Sequence, residues 1–363
     1  MHRVALAVAL LISCQAPGGG SWSSTTTSGG DAPTSETPTS TGSGGGSDAT
    51  TTEQATTTST TSTSTTTSTT ISGTSGASTF DVGVDKDLGP ATPEGCEGKI
   101  DFLFIISRED VMEVVQEQLI ASFPKFIETI AAKFEDFDYH IMVVGSGDSW
   151  GHYWCTDDCP TIDCSNGEPC CGVKDYPCDL LGLVTECDHT KGAGSVFPAG
   201  YKASNKPCPI AGDRRYMIKG QPDLEGTFAC AAQVGLAGYN MIGDNLVNAV
   251  SPYLNGPGGC NEGFLRDDAL LMVTLVTPGS DEFSKWPPEL WGEMVRKAKH
   301  DDPEAVVMLV IGNEACPAYD EPCQMALEFP YHYIEDGLVD DYGPAFDAAS
   351  DLAFQACEQL VPQ

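Results

Sequence analysis

Four runs of this chain are dominated by apolar residues on both faces. They are Lys99–Ser107 (KIDFLFIIS), Tyr139–Val144 (YHIMVV), 269–276 (ALLMVTLV) and 305–312 (AVVMLVIG). Runs this short, without polar alternation, predict strands covered on both faces, as in a parallel sheet. Between them the period changes to three and four. Val111, Val114, Val115, Leu119, Phe123, Phe126, Ile127 and Ile130 mark one or two helices over Asp110–Phe134, with Pro124 a kink or a fresh start. Further helices are expected at Phe228–Leu236, Asp244–Val250, Pro287–His300 and Ala345–Leu360. Strand, helix, strand, then helix, strand, helix, strand predicts an α/β fold with a doubly wound, mostly parallel sheet and helices on both faces. Ligands of such sheets meet the loops beyond the strands' carboxyl ends, which here begin at Ser107, Gly145, Thr277 and Gly312.

The rhythm fails over about 150–225, where eight cysteines, many Gly and Pro, and few apolar runs occur. This stretch reads as a disulfide-rich, irregular insertion. It includes CTDDCPTIDCSNGEPCCGVKDYPC, 155–178, with His152 and His189 nearby. Zinc is the alternative use of such residues. Within the same stretch Trp150, Tyr153 and Trp154 are candidate binding-loop aromatics.

The amino-terminal pattern is of another kind. Arg3 precedes nine apolar residues, Val4–Ile12, too few to cross a bilayer as a permanent helix. Leu11-Ile12-Ser13-Cys14 resembles the bacterial lipoprotein signal box. That resemblance implies a signal peptide over 1–13, acylation of Cys14, and a bilayer as partner. Gln15, which is not Asp, implies sorting to the cell outer membrane, lipid-anchored and facing the periplasm or cell surface. Residues 14–79 follow as a tether. In 51–70 seventeen of twenty positions are Ser or Thr, which cannot repay the entropy of ordering a backbone. Residues 80–97 lead into the domain expected over 98–360.

Charge narrows the partners. The whole chain carries a formal −34, and beyond residue 79 there remain 48 acids against 17 bases. Such a surface disfavours nucleic acid and anionic headgroups. With Cys14 assigned to lipid, fourteen cysteines remain: Cys96, Cys155, Cys159, Cys164, Cys170, Cys171, Cys178, Cys187, Cys208, Cys230, Cys260, Cys316, Cys323 and Cys357. An even number in an exported chain predicts disulfides, with Cys357 tying down the last helix.

DFLFIISREDVM (101–112), ASFPKFIETI (121–130), DYHIMVV (138–144), GTFACAAQVGLAG (226–238), GFLRDDALLMVTLVT (263–277) and DYGPAFDAASDLAFQAC (341–357) together resemble the von Willebrand factor type A domain family, in its branch of secreted, Cys-containing lipoproteins of myxobacteria and relatives. The resemblance implies a metal-ion-dependent adhesion site: Asp-x-Ser-x-Ser after the first strand, a Thr, and a late Asp. Placed on this chain those positions are Ser107, Glu109, Val111, Thr227 and Pro278. Val111 and Pro278 offer no side-chain oxygen to a hard cation, and Ser107 lacks the charge of Asp, so the implied site is degenerate. Arg108, Asp110, Asp281 and Glu282 are candidate binding-loop residues, and the acids among them are candidate substitute calcium ligands. Glu109 and Asp110 also suit the N-terminus of the following helix, whose free N–H groups and dipole favour acids.

No Gly-rich dinucleotide loop, Walker loop or GxSxG elbow occurs. The histidines are scattered, and His140 sits inside a strand pattern as a packed imidazole would. The expectation is a non-enzymatic envelope lipoprotein that needs no cofactor and binds an envelope or extracellular protein. A purely structural lipoprotein and a calcium-dependent binder are the alternatives.

Overall fold

The computed structural model describes residues 96–359, apart from 97, 149, 152–177 and 237. The chain divides into two units, Met1–Asp81 and Val82–Gln363, and every described residue lies in the second. Cys14, Tyr153, Trp154, Cys155, Cys159, Cys164, Cys170 and Cys171 lie outside the described residues, as does the side chain of Cys178.

Six strands form one sheet: β1 (Lys99–Ile106), β2 (Asp138–Gly145), β3 (Met217–Ile218), β4 (Leu270–Val276), β5 (Val306–Gly312) and β6 (Tyr331–Asp336). Their order is β3-β2-β1-β4-β5-β6, parallel throughout except for β3, which pairs antiparallel with β2. The doubly wound expectation holds. Alternation along each strand sends side chains to two cores. Phe102, Phe104, Met272 and Leu309 face α1 (Glu113–Lys133), α2 (Leu224–Ala232) and α7 (Gly343–Gln359). Leu103, Ile105, Val273 and Val310 face α3 (Ile242–Ala249), α5 (Pro288–Lys297) and α6 (Glu321–Ala326). A short helix, α4 (Pro252–Asn255), follows α3. On the first face Phe123 stacks on Phe228 with ring centroids 3.4 Å apart, and Phe126 meets Phe102 edge-on.

Of the one or two helices expected over Asp110–Phe134 there is one, Glu113–Lys133, with Pro124 inside it, after a 3-10 turn over Asp110–Met112. Other expectations need correcting. The helix expected at Phe228–Leu236 starts earlier, because Asp223 caps it at Gly226 N (3.3 Å). It ends at Ala232 because Val234 leaves to bridge Ala203. The described part of the insertion, 178–225, is no separate lobe. Phe197, Tyr216 and Met217 are buried, and β3 extends the main sheet.

Four disulfides join described cysteines: Cys96–Cys357, Cys187–Cys260, Cys208–Cys230 and Cys316–Cys323. The first ties the entry of β1 to the last helix, as expected for Cys357. Within the 150–225 stretch, Cys187 and Cys208 are thereby removed as zinc ligands.

Candidate functional site

Parallel register decides where the loops gather. Ile106 pairs with Val276, Val276 with Ile311, and Gly312 with Asp336, so β1, β4, β5 and β6 end at one edge. The first residues beyond continue the ladder: Ser107 N donates to Val276 O (2.8 Å), Thr277 N to Ile311 O (3.0 Å), and Gly337 N to Gly312 O (2.7 Å).

At this edge the positions of the implied metal site go to separate tasks. Ser107 is buried, and its Oγ accepts from Glu109 N (3.4 Å) within its own turn. Gln116 Nε2 donates to Ser107 O (2.9 Å) and to Gly235 O (3.0 Å), tying the turn to the loop after α2. Thr227 is buried too. Its Oγ1 donates to Pro222 O (3.3 Å) and accepts from Gln221 Nε2 (3.2 Å). Val111 and Pro278 point to solvent without a donor atom. This set does not fit Mg²⁺, which demands several oxygens in a near-ideal octahedron. Among the described residues no three of His, Cys, Asp and Glu are grouped to hold a metal ion.

The substitute acids are also engaged or dispersed. Asp281 Oδ2 accepts from Gly243 N (2.8 Å) and Ser284 Oγ (2.7 Å), and Oδ1 accepts from Ser284 N (2.9 Å) and Phe283 N (3.3 Å). Burial pushes this carboxyl up, and those bonds pull it back. Asp244 answers from α3, accepting Lys285 N (2.8 Å) and Trp286 N (3.1 Å). The two carboxylates clasp the loop after β4 onto α3, so Asp281 is a structural anchor rather than a free ligand. Glu282 and Asp110 are exposed. Glu109 immediately precedes the 3-10 turn that leads into α1 and makes no side-chain cap bond, while Asp110 is the acid in that turn.

Arg108 and Trp150 are internal struts, not binding-loop residues. Arg108 is buried and donates to Gly151 O (2.6 Å) and Ala199 O (3.4 Å). A Cβ at Gly147 would lie 2.6 Å from its guanidinium, so the glycine permits the turn after β2 to close over it. Trp150 is 5% exposed and donates from Nε1 to Phe197 O (2.7 Å).

What the edge presents instead is a groove of about 700 Å³. Met112 and Val115, both buried, lie beside Val111 in it; Thr277, Pro278 and Leu338 contribute from the loops after β4 and β6, and Gly312 from the end of β5. Val111 is 64% exposed and Leu338 80%. Two positions of the degenerate site, Val111 and Pro278, thus belong to it. Sequence reasoning missed the β6 side, though Tyr331–Ile334 is a β-prone run closed by an Asp336-Gly337 turn signal.

No family model matches this chain, and no curated protein matches it. Among solved structures, proximal thread matrix protein 1 from the mussel byssus is similar at 14% identity and a TM-score of 0.34, over 72% of this chain and 47% of that one. The same mussel protein with a zinc-occupied MIDAS motif is similar at 15% identity and a TM-score of 0.35, over the same 72% and 47%. The pilus adhesin SpaC from Lactobacillus rhamnosus GG, in its open conformation, is similar at 11% identity and 0.34, over 72% of this chain and 30% of that one. The chain spans about half the length of the mussel protein. Likenesses this distant carry no argument about function, and the α/β assignment rests on the strand order and the two cores described above.

Proposed function

We propose that this chain is a non-enzymatic, von Willebrand factor A-like binding module that engages a protein partner without a metal ion. The observation that carries the reading is the groove at the carboxyl edge. Val111 stands exposed where the resemblance implies a ligand hydroxyl, and Leu338 is exposed across the same groove. Apolar side chains left in water beside a concave surface gain by burial, at about 25 cal/mol per Å². The groove's volume lies in the range of ligand sites. Acylation of Cys14 would hold the module at the outer membrane.

The test is capture of envelope and extracellular proteins by the full chain, with and without EDTA, set beside a Val111→Glu variant. The expected result is a partner retained in EDTA and lost with Val111→Glu. A partner that needs the divalent ion, or that ignores Val111→Glu, overturns the reading. No specific partner at all favours the structural lipoprotein.

A further inference from the structure

The groove is apolar at its centre, and its charge is of one sign. Glu314 and Asp336 line it, and among the described residues that line it none is basic. Asp110, exposed, immediately precedes Val111. Behind it the Glu109 carboxyl is pushed up first by burial, then by the charges of Asp110, Glu282 and Asp281. The last three causes are all like charges, so negative potential accumulates at this edge.

Resting on the reading of this groove as a protein-binding surface, we infer that its occupant is a cationic segment: one large apolar side chain seated between Val111 and Leu338, flanked by Lys or Arg facing Glu314 and Asp336. Other occupants fit less well. An acidic segment meets repulsion on entry, and like-charge juxtaposition is what excludes wrong partners at an interface. A second copy of this chain brings the same −34. The chain's own 14–79 tether carries no Lys or Arg, only acids among its Ser and Thr, so it offers nothing to the rim. Anionic lipid headgroups share the acidic peptide's difficulty.

The experiment uses the full chain and three labelled peptides of equal length, each with a central Leu, flanked by Lys, Ser or Glu. Binding is read by fluorescence anisotropy at low and high salt. The Lys-flanked peptide is expected to bind tightest and the Glu-flanked one weakest, with the spread collapsing at high salt. Glu314→Gln and Asp110→Asn, both at exposed positions, are each expected to weaken the Lys-flanked peptide by about two- to fivefold and leave the Ser-flanked one unchanged. Val111→Ser and Leu338→Ser are expected to weaken all three. If the Ser-flanked peptide binds as well as the Lys-flanked one, and Val111→Ser weakens both, the groove stands and the cationic inference falls. If the Lys-flanked peptide binds but ignores Val111→Ser and Leu338→Ser, attraction is diffuse and the inference also falls. If no peptide binds, both this inference and the groove reading fall.

Discussion

Arg266 grips both oxygens of Asp101, a carboxylate with no solvent exposure in the first strand: its backbone N donates to Oδ2 and its Nε to Oδ1, each at 2.8 Å. The same guanidinium donates to Asp138 Oδ2 (2.7 Å) and Ile100 O (3.0 Å), so one side chain latches the starts of β1 and β2 to the loop before β4. Removing the guanidinium leaves the buried carboxylate its bond from the backbone N of residue 266 and His140 Nδ1 at 3.6 Å, but takes away its closest cation. Arg266→Met is expected to lower the unfolding free energy by about 3–5 kcal/mol in denaturant titrations. Asp101→Asn, which leaves Arg266 its bonds to Asp138 and Ile100 O, is expected to cost clearly less. Equal costs would show that Arg266 contributes packing rather than charge compensation.

The same pair sets a pH dependence. Burial pushes Asp101 up to about 6, with Arg266 first among the groups pulling it down. A carboxyl raised above its unfolded value of 3.8 contributes stability that is fully present below that value and lost as pH rises through about 6. His140 runs the other way. Burial lowers it, so its contribution is present above 6.5 and is lost as pH falls through its lowered value. Lys299, buried beside them and donating to Arg266 O (2.6 Å), is lowered by burial as well. Relative to Asp101→Asn, the natural chain is expected to gain up to about 3 kcal/mol between pH 6 and pH 4. Parallel pH–stability curves for the two proteins would contradict this.

Cys96–Cys357 closes the longest loop among the described disulfides, with a sequence separation of 261. A long closed loop restricts the unfolded chain most. Replacing both cysteines with Ser is expected to cost about 2–5 kcal/mol, measured by chemical unfolding under non-reducing conditions. An unchanged midpoint would place the stabilisation of this terminus elsewhere.

Gly243, in the first turn of α3, lies against the indole of Trp291, the largest fully buried side chain on that face. A Cβ there would sit 1.9 Å from the ring. Gly243→Ala is expected to destabilise by about 1–3 kcal/mol despite the better helix propensity of Ala. A gain in melting temperature would mean that α3 shifts freely over Trp291.

Calorimetry of the EDTA-treated chain is expected to show no micromolar Mg²⁺ binding, because Thr227 spends its hydroxyl on Pro222 and Gln221 while Val111 and Pro278 bring no oxygen. A one-to-one micromolar isotherm abolished by Thr227→Ala would reverse that and the metal-independent reading with it.

Much was legible in the chain alone. β1, β4 and β5 carry continuous apolar runs that fit strands buried on both faces, as β2 does from Ile141 to Val144, and the helix stripes between them point to a covered parallel sheet. Cys357 announced its own tie, and the missing oxygens at Val111 and Pro278 are facts of composition. Tertiary structure decided what no local pattern encodes. β6 is an edge strand whose half-buried residues give no strong apolar signal, so the Leu338 side of the groove stayed hidden. Arg108 and Trp150 look like surface residues in sequence, yet carbonyls from distant loops, Ala199 O for one and Phe197 O for the other, make their burial affordable. Asp281 reads as a spare acid until α3 brings Gly243 N to it across 38 residues. Long-range hydrogen bonds settle which polar groups are spent and which remain to meet a partner, and a chain's local pattern carries no record of them.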